Sequence, residues 1–507
     1  MKFRNSIYSI VLMAMMATTS FNIEARQLVI LHTNDTHSQI DPDDKDRGGA
    51  LRRKALIDSV RAAEPNVMLV DAGDAVQGTL YFTLYKGEIE QRLLNEMNYD
   101  IQIVGNHEFD NGVDMLAENY RKARPLIISS NYDFSQTPLN GMVLPYAIKE
   151  YDGRRFGIIA INLDPKGMIA DNNFTGVRHL DEVRAANSMA WYLKHVERVD
   201  MVIALTHIGY DIAGVVSDVD VIKESHDIDI VIGGHSHTII NPSAPDTPAY
   251  RLPNIDGDNV LVAQTGKSGR YLGEIKIDLD NMKAQSRLIS VDKRLDDRLD
   301  PDLAEIIKPY RAGVDSLMSV KIGISAMELE QDSPALLNMV SDFVLAEGRR
   351  IVGGDIDMAI MNKGGIRRGI PKGNITKGII MSMLPFENRV YVIDIKGSDL
   401  AEALDVMASR NGDGVSNGVD ISFDPATARC TSISINNTPL DPTKIYRIAT
   451  IDYLANGGDY MEPLTRGSVV AMSDDRLDTD LIQQFENGDL KGKKLKPSTT
   501  MRMHPGK

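Results

Sequence analysis

The chain has 507 residues, 43% of them hydrophobic, and a formal net charge of −15. That length calls for at least two domains, and that hydrophobic share supports large cores rather than disorder. With no basic stripe, the charge argues against a nucleic-acid polymer or an anionic membrane as the main partner. A protein this acidic that handles phosphate must concentrate its cations locally, through metals or a few arginines.

Residues 1–25 have the pattern of a signal peptide. Lys2 and Arg4 open it, Ile7 to Ala17 is an apolar core too short to span a bilayer, and Ala25 offers a small residue for cleavage. No cysteine follows that core, so a lipid anchor is not expected. No later run of roughly 18 apolar residues suggests a membrane span. Cys430 is the single cysteine and has no internal partner for a disulfide. The expected address is periplasmic or extracellular, and no obligate protein partner is evident.

Short apolar, β-branched runs read as strands, and several deliver polar residues at their carboxyl ends. Leu28 to Leu31 delivers Asn34-Asp35-Thr36-His37, and helical spacing follows over Ala50 to Ala63. Val67 to Val70 delivers Asp71-Ala72-Gly73-Asp74, and a helix covers Glu88 to Met97. Ile101 to Val104 delivers Gly105-Asn106-His107-Glu108-Phe109-Asp110, with an amphipathic run from Val113 to Lys122 behind it. Pro125 to Ser129 and Phe156 to Ile161 are strands without chemistry at their ends, and Glu182 to Val199 is a long helix. Met201 to Leu205 delivers His207, Ile228 to Ile232 delivers His235 and His237, and Val260 to Ala263 delivers Gln264-Thr265-Gly266. Alternating strands and helices make this half α/β with layered sheets.

Asp292 to Ser319 is charged and helical, with Pro301 near a helix start and Pro309 interrupting it. It reads as a connector, with a peripheral helix of the first domain as the competing reading. From about Lys321, strands (Val390 to Ile395, Ile445 to Ile451) mix with helices (Ala335 to Arg349, Asp399 to Ser409). The expected division is therefore 26–290, a connector at 291–320, and a second domain at 321–507.

Asp35, His37, Asp74, Asn106, His107, His207, His235 and His237 thus gather at strand ends, read here as one edge of one sheet. In such sheets ligand crevices form outside the carboxyl ends. A single histidine after a strand is usually a satisfied loop residue; this many with two aspartates and an asparagine point to metal. Mixed Asp, His and Asn ligands suit borderline-hard ions such as zinc, manganese or iron. Two ions bridged by a carboxylate are an arrangement for in-line displacement at phosphorus.

Taken in order, NDTH, DAGD, GNHEFD, THIG and GGHSH resemble the calcineurin-like metallophosphoesterase domain of the 5′-nucleotidase family. Asn362-Lys363-Gly364-Gly365-Ile366-Arg367, Leu384-Pro385-Phe386 and Ala455-Asn456-Gly457-Gly458-Asp459 are similar to that family's C-terminal domain. The resemblance covers nearly the whole chain after residue 25. It implies an α/β fold, layered as α+β. A four-layer β-sandwich metallophosphoesterase domain flanked by helices comes first, and a smaller α/β nucleotide-binding domain follows. It implies two divalent ions, zinc or manganese first. One would be held by Asp35, His37, Asp74 and His237, the other by Asp74, Asn106, His207 and His235, with Asp74 bridging. Many members carry glutamine or asparagine where His237 stands. His107 and Asp110 look like the family's catalytic dyad, the imidazole stabilising phosphoryl charge and the carboxylate orienting it. Asp71 either backs the DAGD loop or serves structure alone.

In the second domain, Gly364-Gly365 lets the backbone approach a ligand, and Arg367 offers a fork suited to phosphate. Arg368 and Arg410 are further phosphate candidates, each with a solvated surface role as its competing reading. Asn388 is placed at the cleft. Tyr453 stands where the family carries an aromatic that stacks on the base, and Asp459 would contact base or sugar. A second aromatic is missing from Asn411 to Asp420.

The expected function is therefore a secreted two-metal phosphoesterase that removes phosphate from nucleoside 5′-monophosphates by attack of a metal-bound hydroxide. The alternatives are a 2′,3′-cyclic-nucleotide phosphodiesterase or UDP-sugar hydrolase and, from a different class, a nucleotide-binding protein without catalysis.

Overall fold

The computed structural model describes residues 26–212 and 214–506, and the expected signal peptide lies outside the described residues. The first half is built on two sheets. A seven-stranded sheet runs in the order Ala284–Ser290, Tyr271–Asp278, Gln27–Thr33, Val67–Asp71, Ile101–Ile103, Leu126–Ile128, Val143–Leu144. A six-stranded sheet runs Arg251–Pro253, Asn259–Ala263, Ile230–Ile232, Met201–His207, Arg154–Asn162, Ala147–Tyr151.

The strands read as unbroken apolar runs because both of their faces are covered. Leu28, Ile30, Met68, Val70, Ile101 and Ile103 meet Ile158, Ala160, Ile203, Leu205, Ile230 and Ile232 between the sheets. The alternate residues Val29, Leu31 and Leu69 meet Leu56 and Ile57 of the helix Ala50–Ala63 and Leu93 of the helix Glu88–Glu96. On the far side Ile159, Ile161, Val202 and Val231 meet Ala186, Ala190 and Leu193 of the helix Glu182–His195. The layers are helix, sheet, sheet, helix, the four expected. Each fully buried aliphatic side chain contributes about 1.5–3 kcal/mol, so the strand ends that carry chemistry stand on a stiff frame.

Two expectations need correction. The polar strand ends do not share one sheet. Gln27–Thr33, Val67–Asp71 and Ile101–Ile103 belong to the seven-stranded sheet, and Met201–His207 and Ile230–Ile232 to the six-stranded one. The site is built where the two sheets face each other. Pro309 also does not interrupt its helix, which runs unbroken over Pro301–Ser319. A proline removes one backbone bond, and here the helix is anchored on both sides of it. Leu303 and Ile307 are buried in the first core, and Met318 packs against the second.

The second half carries a five-stranded sheet in the order Gly414–Val415, Met358–Met361, Ile445–Ile451, Val390–Lys396, Ser468–Met472. The helices Pro334–Val352 and Gly397–Ser409 pack on it. Leu336, Val340 and Val344 join Ile360, Ile393 and Ile448 in one core. No helix among the described residues is long and apolar enough to cross a membrane.

Candidate active site

The loops leaving the strands are held in unusual backbone conformations. Asp35 (φ 48°), His37 (48°), Asp74 (53°), His235 (73°) and His237 (55°) all lie in the left-handed region. Each such non-glycine residue costs on the order of 1 kcal/mol or more and persists only where the surroundings over-determine it. Those surroundings are visible. Asp35 N–H donates to the Gly73 carbonyl at 2.9 Å and His37 N–H to the Asp74 carbonyl at 3.0 Å. Glycine is required where loops cross closely: a Cβ on Gly105 would collide with the Asp74 carboxylate, and one on Gly234 would stand 2.7 Å from His207 Nδ1.

The structure brings the expected ligands into two adjoining groups. Asp35, His37 and His237 each place one ligand atom within 4.8 Å of the others, and so do Asp74, His207 and His235. His37 and Asp74 join again in a third group with His107. His37 Nε2 and His237 Nε2 lie 2.9 Å apart. Asn106 Oδ1 lies 2.9 Å from His235 Nδ1, and His207 Nε2 lies 3.1 Å from Asp74 Oδ2. Asp71 stands behind this set, accepting from Thr33 Oγ1 at 2.5 Å and Gly73 N–H at 3.1 Å, so it backs the DAGD loop.

These residues fit divalent ions on their own chemistry. His207 Nε2 is buried and faces the Asp74 carboxylate at 3.1 Å. Its other nitrogen lies 2.7 Å from the Ala72 carbonyl, which fixes the tautomer and leaves Nε2 free to ligate. Burial first, with His207 beside His235 and Lys267 and Arg367 beside His237, holds both near pKa 3, in the neutral form a metal requires. Burial disfavours the Asp74 carboxylate, but His207 and His107 outweigh it and hold Asp74 well below the usual range.

His107 stands beside the ligand set. Its Nδ1 lies 3.0 Å from Asp110 Oδ2, and its backbone N–H donates to Asp74 Oδ1 at 2.9 Å. Burial works against the imidazolium, but Asp110 and then Asp74 outweigh it and raise the pKa. The second half closes over this ring. Phe386 stacks on His107 with centroids 6.1 Å apart and 28° between planes, and the Arg367 guanidinium lies 5.9 Å from the Phe386 centroid.

The other substrate candidates divide. Asp459 is placed at the loop facing the first half, with Asn362 Nδ2 donating to its Oδ2 at 2.5 Å. The Arg410 guanidinium pairs with Asp413 at 2.5 Å and donates to the Asp459 carbonyl, so it braces the loop that carries Asp459. The Asn388 side chain makes no hydrogen bond among the described residues; its carbonyl accepts from Leu477 N–H at 2.8 Å. Arg368 pairs with Asp44 at 2.9 Å near the surface. Tyr453 is half-buried. One side of its ring lies against Gly458, where a Cβ would overlap the ring. Its hydroxyl lies 3.0 Å from Asp459 Oδ1 and 3.2 Å from the Met168 carbonyl. The exposed aromatic on this loop is Tyr460, at 45% exposure.

Sequence reasoning missed Tyr460, Phe386 as a cover for His107, and Glu108. Both Glu108 oxygens are engaged: Oε2 accepts Gly105 N–H at 2.6 Å and Asp74 N–H at 3.1 Å, and Oε1 accepts Ala75 N–H at 2.9 Å. The signal was present in the GNHEFD motif, where an acidic residue three positions past a glycine can bond back to its N–H.

Comparison with known proteins agrees with this arrangement. Residues 28–238 match the family described as calcineurin-like phosphoesterase, and residues 317–466 match the 5′-nucleotidase C-terminal domain. The chain is 30% identical to the 5′-nucleotidase of Rattus norvegicus over 489 residues, covering 85% of this chain and 83% of the relative. It is 27% identical to a trifunctional nucleotide phosphoesterase of Bacillus subtilis over 500 residues, covering 87% of this chain and 32% of that longer protein. The structure of a 5′-nucleotidase precursor from Thermus thermophilus superposes with a TM-score of 0.83 at 29% identity, covering 94% of this chain and 99% of that one.

Proposed function

The chain belongs to the 5′-nucleotidase family of metallophosphoesterases and is a hydrolase, and on that premise we propose that it converts nucleoside 5′-monophosphates to nucleosides and orthophosphate. The observation that carries the reading is the convergence of the Asp35–His37–His237 and Asp74–His207–His235 groups, with the His107–Asp110 pair beside them and Arg367 entering from the second half. In the proposed assignment Asp35, His37, Asp74 and His237 hold one divalent ion, and Asp74, Asn106, His207 and His235 hold the other. Such ions supply an activated water and polarise the phosphoryl oxygens.

The remaining roles belong to the chain. His107, kept protonated by Asp110, offers a charged N–H to the phosphoryl oxygens as negative charge develops. Arg367 binds the same group from the opposite side, and Phe386 keeps water off the imidazole between them. Asp459, oriented by Asn362 and Tyr453, meets the sugar or base, and the open Tyr460 ring offers the stacking face. Residues 26–290 make the catalytic part, 291–320 the connector and 321–507 the substrate-binding part, and the protein acts outside the cytoplasm.

The test is a substrate panel of AMP, UDP-glucose and a 2′,3′-cyclic nucleotide with manganese or zinc added. AMP is expected to be the best substrate. Asp74→Asn is expected to lower turnover at least a thousandfold with the fold intact. Hydrolysis of the other two but not AMP would sink the monophosphate reading, and full turnover in a chelator-stripped, metal-verified sample would sink the metal one.

A further inference from the structure

Lys267 has no role in the site described so far, yet it is built into its wall. It lies on the loop after the strand Asn259–Ala263. That loop is fastened to both groups of ligand loops. Gly266 N–H donates to the Thr238 carbonyl at 3.0 Å, and Ser268 N–H donates to the Asp35 carbonyl at 2.7 Å. Asn34 holds it from a third side, donating to the Gly266 carbonyl at 2.8 Å and accepting Thr265 N–H at 2.8 Å. The backbone on either side of Lys267 therefore moves only if the Asp35 and His237 loops move. Its ammonium is carried to a fixed place.

That place is a chamber of about 350 Å³ between the two halves, lined by Lys267, His37, Arg270, Arg367, Arg368 and Gln331 among others. The chamber's cations fall into two kinds. Arg270 and Arg368 are neutralised by Asp43 at 3.0 Å and Asp44 at 2.9 Å. Lys267 and Arg367 form no ion pair among the described residues. They stand close to each other: withdrawal from water first, then Arg367 and Arg270, lower the pKa of Lys267. Lys267 also lowers the pKa of His237. The carboxylates that line the chamber are taken, Asp41 by Arg311, Asp43 by Arg270 and Asp44 by Arg368, and Asp35 and Asp332 act on Lys267 without forming an ion pair. Half-buried cations without partners are costly unless an anion meets them.

We propose that Lys267, with Arg367 shared at its border with the scissile phosphoryl group, forms a second anion subsite beside the metal centre, which takes a tetrahedral phosphate group other than the one being cleaved. The proposal rests on the phosphoesterase reading, which supplies two sources for that group. One is the orthophosphate released by turnover; the other is a further phosphoryl group on a nucleoside diphosphate. Both present the same chemistry to the chamber: oxygens that accept from an ammonium and a guanidinium fork. Lys267 contributes a compact charge that a rotating phosphate can meet in any orientation, and Arg367 the geometry.

The experiment uses the full metal-loaded chain as wild type, Lys267→Met and Lys267→Arg. Orthophosphate binding is measured by titration calorimetry, and kcat/KM is measured for AMP and ADP. In Lys267→Met the orthophosphate Kd is expected to rise about tenfold, the loss of one charge-assisted hydrogen bond. Lys267→Arg is expected to restore it to within about threefold, which separates lost charge from lost folding. A weaker orthophosphate complex with an unchanged ADP-to-AMP ratio assigns the subsite to released product. A fall in that ratio assigns it to the substrate's further phosphoryl group. The proposal is overturned if Lys267→Met leaves both the Kd and the ratio unchanged. It is overturned equally if the AMP KM rises by the same factor as the Kd, because Lys267 would then sit on the scissile group itself. Calorimetry needs no turnover, so a wild type that binds orthophosphate through Lys267 but fails to cleave AMP would refute the nucleotidase reading and leave the subsite standing.

Discussion

Glu108 is the residue through which the GNHEFD loop holds the DAGD loop, and Glu108→Gln should expose that dependence. Its two oxygens accept three backbone N–H groups, from Gly105, Asp74 and Ala75. Burial and the Asp74 carboxylate push its pKa up to about 8. Against that, three converging donors favour the ionised form, and no acceptor among the described residues is placed to take a proton from it. The geometry favours the carboxylate. Glutamine keeps at most one accepting oxygen. Turned to its best orientation it serves Gly105 and Asp74 and presents an NH2 group to Ala75 N–H. One bond to a charged acceptor is lost, about 1.5–3 kcal/mol, and one buried N–H is left unpaired, about 1–3 kcal/mol. The sum is roughly 3–5 kcal/mol, offset in part by relief of the Asp74 repulsion, so about 3 kcal/mol is expected. In a part of this size that lowers its thermal transition by roughly 6–12 °C. Because Asp74 N–H is one of the donors, divalent-metal affinity should fall about 10–100-fold. Calorimetric titration with zinc or manganese, run beside a thermal scan, reads both quantities. A Glu108→Gln protein with wild-type metal affinity and an unshifted transition would refute the argument.

Three further outcomes are expected. His107→Ala should lower kcat and kcat/KM together by at least a hundredfold, because its interaction strengthens only as charge develops; loss of bound metal, read by elemental analysis, would make it a ligand instead. Tyr460→Ala should raise the KM for AMP by about 1–3 kcal/mol in free-energy terms and leave p-nitrophenyl phosphate nearly untouched, whereas equal effects on the two substrates would remove its stacking role. Glu90 is buried at 4% exposure with neither oxygen hydrogen-bonded, and burial raises its pKa from 4.5 to about 7. Its folded pKa lies above the unfolded one, so its contribution to stability is full below pH 4.5 and is lost as pH rises towards 7, by up to about 3 kcal/mol. Glu90→Gln should flatten that slope in denaturant midpoints taken at pH 5 and pH 8; parallel profiles for mutant and wild type would refute it.

The candidate metal ligands were legible because each is local. A short apolar strand followed by Asp-Thr-His or Gly-Asn-His announces itself within ten residues, whatever the rest of the chain does. The helix Ala50–Ala63 was legible in the same way, from spacing alone. What required the third dimension was which sheet each strand joins, since an apolar strand covered on both faces carries no mark of its sheet. Pro309 misled because local propensity says that a helix ends there, while Leu303, Ile307 and Met318 are anchored in separate cores on either side. How the neighbouring rings of Tyr453 and Tyr460 are packed could not be read either, because position beside a motif does not say which side of a ring is covered. The Lys267 chamber could not be read at all. It joins His37 to Lys267, Gln331 and Arg367, residues from separate elements of both halves.

The contacts between the two halves are themselves of two kinds, and the difference bears on how a substrate reaches the site. On one side the long helix Pro301–Ser319 is apolar glue. Met318 Sδ would lie 2.5 Å from a Cβ on Gly378, and Leu80 Cδ1 would lie 3.0 Å from it. That packing leaves no slack. Across the cleft the joins are polar and few: Lys86 to Glu387 at 2.7 Å, Arg368 to Asp44 at 2.9 Å, and the Tyr453 hydroxyl to the Met168 carbonyl at 3.2 Å. Exposed ion pairs of this sort contribute about 0–1 kcal/mol each, and water replaces them when they part. Separating the halves at the cleft therefore costs little, while separating them at the helix would expose buried apolar surface. The halves part most cheaply along the edge that carries Met168, Tyr453 and Tyr460, with the helix side acting as the pivot. The same motion would lift Phe386 off His107 and carry Arg367 with it, so under the proposed function a nucleotide bridging the cleft would draw the charged half of the site together.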